Sequence, residues 1–207
     1  METAFAPMPT AMPAFVEETP YRFSAREFYA MIDAGIFPRE SRIELWEGQI
    51  YEKMAKSRPH STAGQRCGLA LTRWLPTGWY IVHEDSVEIA PGKVPLPDVM
   101  VLRGSPDTYE ERYPTAPDVG LLIEVARTSF RNDTGPKLES YARAGVVAYW
   151  VVNVVSKAVY VHREPLVTEG RYAVEEIFVP GQTIPFYLDG VVVGDIAVNE
   201  LFAGHRV

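Results

Sequence analysis

The stretch VGLLIEVA, residues 119–126, carries one charged residue, Glu124, in an otherwise apolar run. Such a run is typical of a central strand that is buried on both faces of a sheet. An ionised carboxylate in that position is costly unless it is paired, hydrogen-bonded or bound to a metal. A structural salt bridge explains Glu124 as well as a functional site does, so the interpretation depends on which other residues the fold brings near it.

Two residues elsewhere in the chain favour a functional site. Asp98 lies on another predicted strand, residues 96–102, and two carboxylates that enter one pocket from neighbouring strands form an oxygen site suited to Mg²⁺ or Mn²⁺. Lys137 falls one turn into the helix that follows the Glu124 strand, where its ammonium could orient an attacking water or stabilise charge on a phosphate. Each has an ordinary alternative, since strand-end Asp is common in turns and most helix lysines are solvated.

The remaining pattern predicts an α/β protein of the α+β kind, with a mixed sheet flanked by helices and no regular βαβ repeat. Ser24 and Glu27 form a capping box at the start of a first helix, and Glu47-Gly48 supplies the turn of a hairpin. The other predicted elements are a helix over 60–75, strands over 79–89, 96–102 and 119–126, a helix capped by Asp133 that ends before Gly145, strands over 146–155, 158–162 and 172–179, and a short helix over 195–202.

Composition indicates one globular domain, residues 21–207, preceded by a flexible tail, residues 1–20. The chain has 207 residues, of which 47% are hydrophobic and 23% charged. The single cysteine, Cys67, excludes an intrachain disulfide and a cysteine-based zinc site, and it suits a buried position inside a helix. The apolar runs are too short to span a bilayer and the tail has no basic residue, so we expect a cytoplasmic protein with no membrane partner.

The net charge of −7 argues against non-specific nucleic-acid binding by the whole surface. The charge is unevenly distributed, because residues 21–80 contain nine basic and six acidic residues, whereas residues 81–126 contain three basic and nine acidic ones. A basic segment beside an acidic cluster suits a metal site that handles an anionic substrate, and it suits ordinary surface variation equally well.

Several motifs, taken in order and spacing, resemble the Uma2 family of restriction-endonuclease-like proteins, a branch of the PD-(D/E)xK nuclease fold. The resemblance extends over about residues 21–202. Each motif alone is weak, and the combination is specific. The motifs are RIELWEGQIYEKM (42–54), SRPH (57–60), LPDVMV (96–101), LIEVA (122–126), DTGPKLESYARAG (133–145) and YWVV (149–152).

The resemblance implies a restriction-endonuclease-like core and a metal-dependent endonuclease that acts on DNA. In its terms, Asp98 belongs to the PD half of the signature and Glu124 is the second ligand of a Mg²⁺ or Mn²⁺ ion, to which the carbonyl of Val125 would add a third oxygen. The lysine usually found two residues after the glutamate is absent, because position 126 is Ala126. The resemblance places that lysine on the following helix, at Lys137.

Supplementary roles follow from the same resemblance. Glu44 corresponds to an additional acid near the metal, and His60 to a pocket residue that with Lys56 and Arg58 would contact the substrate. Basic residues that could steer the DNA backbone are Arg39, Arg42, Lys53, Lys56 and Arg58. The chain departs from the family pattern at two places. Position 153 is Asn153 in place of Asp, and a serine-rich stretch is reduced to Thr128-Ser129. Neither departure removes a proposed metal ligand.

Two other functions remain open. The chain could be a non-catalytic DNA- or protein-binding module, in which Lys137 would pair directly with Glu124 in a closed, dry setting. A catalytic site instead needs the two acids and the lysine to converge with room for a metal. A sugar hydrolase would need an open groove lined by aromatic residues and no role for Lys137. Residues 191–193 and 201–202 suit a homodimer interface, and they suit a core strand and helix equally well.

Overall fold

The computed structural model describes residues 19–38 and 40–202. Nearly all of the predicted N-terminal tail, and Arg39, therefore lie outside the described residues. The helices are α1 (Ala25–Asp33), α2 (Arg58–Thr72), α3 (Phe130–Asp133), α4 (Pro136–Arg143) and α5 (Val198–Leu201), with short 3₁₀ turns at Pro106–Tyr109 and Ala116–Asp118. The strands are β1 (Ile43–Trp46), β2 (Gln49–Glu52), β3 (Trp79–His83), β4 (Val99–Arg103), β5 (Val119–Ala126), β6 (Ala148–Asn153), β7 (Ala158–Leu166), β8 (Arg171–Phe178), β9 (Thr183–Leu188) and β10 (Val191–Ala197).

A six-stranded mixed sheet forms the centre of the molecule, in the order β3-β4-β5-β6-β7-β8. Strands β5 and β6 are parallel, and every other neighbouring pair is antiparallel. A parallel pair needs a crossover connection, and α3 and α4 lie in the chain between β5 and β6. The sheet and its flanking helices confirm the predicted fold class, and all eight residues of β5 are buried, as the apolar run indicates.

The two faces of β5 belong to different cores, because successive side chains of a strand point to opposite faces. Leu121, Ile123 and Val125 pack in a cluster that includes buried residues of α2, α5 and β9. Leu122 and Ala126 pack in the other cluster, which includes buried residues of α4 and β6. Glu124 lies between Leu122 and Ala126 on the same face of β5, and so it faces α4.

The hairpin of β1 and β2 stands apart from the main sheet and packs with α1 in a third apolar cluster. Backbone hydrogen bonds tie it to the loop before β4: Leu45 and Val94 exchange bonds of 2.9 and 2.8 Å, and Gly48 N donates to Gly92 O at 2.9 Å. Gly48 has a φ of 72°, a conformation that glycine adopts without strain. The predicted turn and the predicted capping box of α1 both form.

The predicted helix capped by Asp133 is wrong at its start. Asp133 is the last residue of the short helix α3, and α4 begins at Pro136, after Gly135. Proline favours the first turn of a helix, and its ring disfavours helical backbone in the residue before it. Pro136 therefore sets the start of α4 and leaves Asp133 outside it.

The C-terminal segment also differs from the prediction. Asp195 lies in β10, not in a helix, and β9 and β10 form a hairpin turning at Asp189-Gly190 that the sequence analysis did not predict. Leu201 and Phe202 are buried in the core, which excludes them from an exposed interface. Val191 and Val192 remain exposed, and a homodimer stays a prediction.

Cys67 lies buried in α2, as predicted. Within residues 19–38 and 40–202, no helix combines the length and the apolar character that a membrane span requires.

Candidate active site

The pairing of β4 with β5 brings the two principal carboxylates together. Val99 pairs with Ile123, so that Asp98, the residue before β4, comes beside the end of β5. Oδ2 of Asp98 accepts a hydrogen bond of 2.7 Å from the backbone N–H of Val125. Asp98 and Glu124 are both about 2% exposed, so both need partners inside the protein.

Lys137 reaches Glu124 from the second residue of α4. Its Nζ lies 2.8 Å from Oε1 of Glu124 and 3.2 Å from Oε1 of Glu44. The hydroxyl of Tyr141, one turn further along α4, donates to Oε1 of Glu124 at 2.9 Å. Burial would lower the pKa of Lys137, but the two carboxylates outweigh it and raise that pKa above its ordinary value.

The hairpin supplies the third carboxylate, Glu44 of β1. Its Oε1 accepts a hydrogen bond from the backbone N–H of Leu96 at 3.0 Å, and its Oε2 accepts one from Nε1 of Trp46 at 3.1 Å. Burial would raise the pKa of Glu44, but the charges of Lys137 and Lys53 hold that pKa below its ordinary value. Glu44 is therefore an ionised, fixed acid, oriented by the chain segment that leads into β4.

A second ammonium, that of Lys53, lies among the three carboxylates. Its Nζ donates to the carbonyl of Leu96 at 2.8 Å. The same atom is 3.4 Å from Oε2 of Glu124, 3.5 Å from Oε1 of Glu44 and 4.0 Å from Oδ1 of Asp98. Four oxygens, three of them from carboxylates, thus surround one cation that belongs to the chain itself.

Basic side chains also border Asp98 on its other side. Nε2 of His60 lies 3.2 Å from Oδ2, Nζ of Lys56 lies 2.7 Å from Oδ1, and the guanidinium of Arg42 lies 3.7 Å from Oδ1. Burial would raise the pKa of Asp98, but the hydrogen bond from His60 and the charges of Lys53 and Lys56 hold it well below its usual range. Burial lowers the pKa of Lys56 in spite of the Asp98 charge.

A fourth acid, Asp133, is buried at the end of α3, and its Oδ2 accepts a hydrogen bond from the hydroxyl of Ser129 at 2.6 Å. Burial raises the pKa of Asp133 to about 7, with help from the negative charge of Glu124. The sequence predicts a helix cap at Asp133, and the local pattern gives no sign that this side chain is buried.

A cavity of about 580 Å³ opens onto this cluster. Its lining includes all three carboxylates, Lys137, Val125, Lys56 and His60. A neighbouring cavity of about 600 Å³ shares Glu44 and Lys137 with it and continues past Trp46 and Tyr51. Arg58 is exposed and lines neither cavity, so the structure does not bring it to the predicted site.

A larger cavity, about 910 Å³, lies between α1 and the turn of the β1–β2 hairpin. None of the predicted site residues lines it. Chemistry, and not volume, therefore identifies the smaller cavity as the candidate active site, since it is the one where buried charges of both signs converge.

The donor set fits a hard divalent cation in kind, because it consists of oxygens. Among the described residues, Oδ1 of Asp98 is buried and has no hydrogen bond of normal geometry, and Oε2 of Glu124 has only the long contact with Lys53. In the same residues, no three acidic, histidine or cysteine side chains form a ready-made metal-binding group. The reason is visible in the geometry: Lys53 and Lys137 lie between the acids.

The position of Lys53 could have been anticipated from the hairpin. A turn at Glu47-Gly48 pairs Glu44 with Tyr51, and residues opposite one another share a face of the hairpin. Counting on by two residues places Lys53 on the face of Glu44. Lys53 is predicted from the sequence only as one of several residues that could steer DNA, because its place beside Glu44 follows only from the pairing of the two hairpin strands.

Comparisons with known proteins bear on the family and the fold of the chain. A search of curated proteins gives no significant match. The crystal structure, at 1.96 Å resolution, of "a putative nuclease belonging to DUF820" from Anabaena variabilis ATCC 29413 matches with a TM-score of 0.66 and 17% identity, covering 84% of this chain and 97% of that one. At that identity, the likeness shows a shared fold. The family model "Uma2: Putative restriction endonuclease" matches residues 25–191, so the chain belongs to the Uma2 family.

Proposed function

We propose that the protein is a metal-dependent endonuclease that hydrolyses phosphodiester bonds of DNA at the cavity formed by Asp98, Glu124, Glu44 and Lys137. The observation that carries the proposal is the convergence of three buried carboxylates and a buried lysine, from four separate segments of the chain, at the wall of one cavity. Burying four charged groups is costly. A catalytic site would explain why the chain buries them, and the family to which the chain belongs is described as one of restriction endonucleases.

The roles follow from what each group can do. Asp98 and Glu124, with the carbonyl of Val125, would hold Mg²⁺ or Mn²⁺, and Glu44 would support the ion through water. When bound, such an ion polarises a phosphate oxygen and makes water a better nucleophile near neutral pH. Lys137, fixed by Glu124 and Glu44, would orient the attacking water and stabilise negative charge that develops on the phosphate.

Local charge supports an anionic substrate even though the whole chain is acidic. Arg42, Lys53, Lys56, His60 and Arg127 line the cavity beside the carboxylates. Positive charge concentrated in a cleft attracts a phosphate backbone there, and it does not require non-specific binding of nucleic acid by the rest of the surface. His60 and Lys56 would therefore contact substrate from the wall nearest Asp98, while the role proposed for Arg58 would require DNA to extend beyond the cavity.

One observation favours the second candidate, a non-catalytic DNA- or protein-binding module. Lys137 pairs directly with Glu124 at 2.8 Å, which is the arrangement of a structural network. The adjoining cavity of about 580 Å³ favours catalysis, because the network is not closed on that side. A sugar hydrolase fits less well, since ammonium groups separate the acids that would have to flank a glycosidic bond.

Metal binding is the first test of the nuclease. We expect the wild-type protein to bind Mg²⁺ or Mn²⁺ in a calorimetric titration and Glu124→Ala to lose binding. Glu139→Ala is the matched control, because Glu139 is also a glutamate but lies exposed on α4 and pairs with Arg143, outside the cluster. A screen of single-stranded, double-stranded and branched DNA should then show cleavage that EDTA stops. Lys137→Met should slow cleavage by roughly 10²-fold or more while the fold, followed by circular dichroism, persists.

The opposite result would identify the binding module. If the wild type binds no metal and cleaves no DNA, and Glu124→Ala lowers only the unfolding temperature, the acids are a structural network. Gel-shift measurements on the same DNA forms would then distinguish a DNA-binding module from a protein-binding one.

A further inference from the structure

The most unusual contact in the site is that of Lys53, whose ammonium lies where several carboxylates would hold a cation. It is within 4.0 Å of carboxylate oxygens from Glu44, Asp98 and Glu124 and donates a hydrogen bond to the carbonyl of Leu96. Lys137, by comparison, contacts two of these acids from the side of α4. Lys53 is thus the ammonium that all three acids share.

We propose that Lys53 is the resident counter-ion of the carboxylate cluster and leaves it when a divalent cation binds. The inference rests on the proposed function, because it assumes that the same oxygens bind a metal. It adds to that function an exchange of cations: the metal-free site is closed by the ammonium of Lys53, and the loaded site releases that ammonium.

Electrostatics makes the two states exclusive. An ammonium and a divalent ion that use the same oxygens would lie a few ångströms apart, where two positive charges repel strongly in a partly buried setting. Without either cation, Glu44, Asp98 and Glu124 would be incompletely neutralised, which is costly for buried carboxylates. The position that all three acids share therefore holds one cation, either the ammonium of Lys53 or the metal ion, while Lys137 remains at the side of α4.

The surroundings of Lys53 allow the exchange. The residue follows β2 at the edge of the hairpin, and its side chain is about 17% exposed, compared with 7% for Lys137. Its flexible four-carbon stem can swing without moving the backbone. Because Lys53 lines the cavity of about 580 Å³, the displaced ammonium enters the space through which an anionic substrate would approach. Metal loading thus places an additional positive charge facing the substrate.

Chemical labelling of the unmodified wild type tests the exchange directly. Amine acetylation with a water-soluble ester, followed residue by residue by mass spectrometry, should be severalfold faster at Lys53 with Mn²⁺ than with EDTA. Lys93 is the internal control, because its side chain is similarly exposed (about 20%) and pairs with Glu47, outside the cluster. Its labelling rate should not change.

Metal affinity provides the second readout. Lys53→Met removes the competing ammonium, so the apparent affinity for Mn²⁺ should rise roughly tenfold, as when the binding-competent fraction of a protein rises from a tenth to all of it. Lys56→Met removes an equal charge that contacts only Asp98 of the three acids, and it should raise the affinity much less. In EDTA, Lys53→Met should unfold at a lower temperature than wild type, and Mn²⁺ should abolish that difference.

The outcomes separate this inference from the nuclease itself. If wild type binds Mn²⁺, but labelling of Lys53 does not change and both variants gain affinity equally, the exchange is contradicted and the metal site stands. If only Lys53→Met binds Mn²⁺, Lys53 is a permanent cation of the cluster, and both the exchange and a metal-dependent function of the natural chain are contradicted. If neither protein binds Mn²⁺, both proposals fail.

Discussion

At the scale of single residues, the protein buries an unusual set of charges in one place. Glu44, Asp98, Glu124 and Lys137 are each at most about 5% exposed, and each has an oppositely charged partner within 4 Å. Removing one partner of such a buried pair lowers the free energy of unfolding by several kcal/mol, because the other charge is then left uncompensated in the interior. The site is therefore also a determinant of stability, and tests of function must follow folding in parallel.

Asp133 is the residue whose charge should respond to pH. Its pKa is raised to about 7 in the folded protein, against an ordinary value of 3.8. The folded state then binds more protons than the unfolded state between about pH 4 and pH 7, so the stability contributed at this position is lost as pH rises through that range. Asp133→Asn should be more stable than wild type at pH 8, by on the order of 4 kcal/mol, and similar to it at pH 4.

Urea unfolding at several pH values measures this difference. Asn retains an oxygen that can accept the hydrogen bond from Ser129, so the substitution removes the charge and little else. Asp107→Asn, at an exposed acid in a 3₁₀ turn, is the control and should leave the pH profile unchanged. A parallel shift of Asp133→Asn at every pH would contradict a buried, protonated carboxyl.

At the scale of elements, the β1–β2 hairpin positions a large part of the site although it lies outside the main sheet. Arg42, Glu44 and Lys53 all come from it or from its ends, and they reach the cavity because the hairpin is anchored through Leu45 and Gly48 to the loop before β4. The geometry of the site should therefore depend on the turn of this hairpin.

Gly48→Ala tests that dependence. A Cβ at Gly48 would lie 2.7 Å from Cβ of Arg22, and φ is +72°, so the hairpin must shift. Gly190→Ala is a matched control, because its φ is +75° in the turn of the β9–β10 hairpin and a Cβ there meets no described atom within 4 Å. Both variants should lose about 1–2 kcal/mol from left-handed backbone, and Gly48→Ala should lose more.

Only Gly48→Ala should also weaken Mn²⁺ binding in calorimetry, since Glu44 and Lys53 move with the hairpin that it distorts. Equal stability losses and unchanged metal binding in both variants would show that the site tolerates movement of the hairpin.

Elements also show where the sequence was informative. The apolar run around Glu124 correctly predicted a buried central strand, because burial on both faces leaves a pattern that few other structures produce. The prediction placed the start of α4 at Asp133 because aspartate is a favourable helix cap. Pro136 has a fixed φ that suits the first turn of a helix, and α4 begins there. The β9–β10 hairpin was missed although its Asp189-Gly190 turn and alternating Ile184, Phe186 and Leu188 were present in the sequence.

The same limit applies to the site. Asp98, Glu124 and Lys137, which the strand pattern and the family resemblance indicate, lie at one cavity, and their roles stay a prediction. The contacts of Lys53 with the three acids and the burial of Asp133 are not predicted, because local sequence does not indicate which loop packs over which strand. Burial of a charged residue is a property of tertiary contacts, and in this chain those contacts join segments far apart in sequence.

At the scale of the whole molecule, Cys67 offers a report on global stability. It is fully buried against the sheet, and burial raises the pKa of its thiol to about 12. Because the thiolate is the reactive form, a disulfide reagent at pH 8 should react roughly 10³-fold or more slowly with the native protein than with the urea-unfolded chain. The absorbance of the released thiol follows the reaction.

Ligands that bind only the folded state should slow the reaction further, by a factor of one plus the ratio of free ligand concentration to Kd, when the reaction requires global unfolding. Mn²⁺ is the ligand to add, with Glu124→Ala as the control that should not respond. Rapid reaction of the native wild type would mean that α2 separates from the sheet locally, without global unfolding.

The long separations within the site have a consequence for biosynthesis. Lys137 meets Glu44 across 93 positions of sequence, and Lys53 meets Glu124 across 71. During translation from the N-terminus, the hairpin emerges well before β5 and α4 exist to receive it. Until α4 has left the ribosome, Glu44 and Asp98 are ordinary solvated acids on an incomplete chain, without the lysine that completes the constellation. A truncated translation product that stops before α4 therefore carries most of the acids and no assembled centre, so any nuclease activity would be confined to molecules whose synthesis has passed that helix.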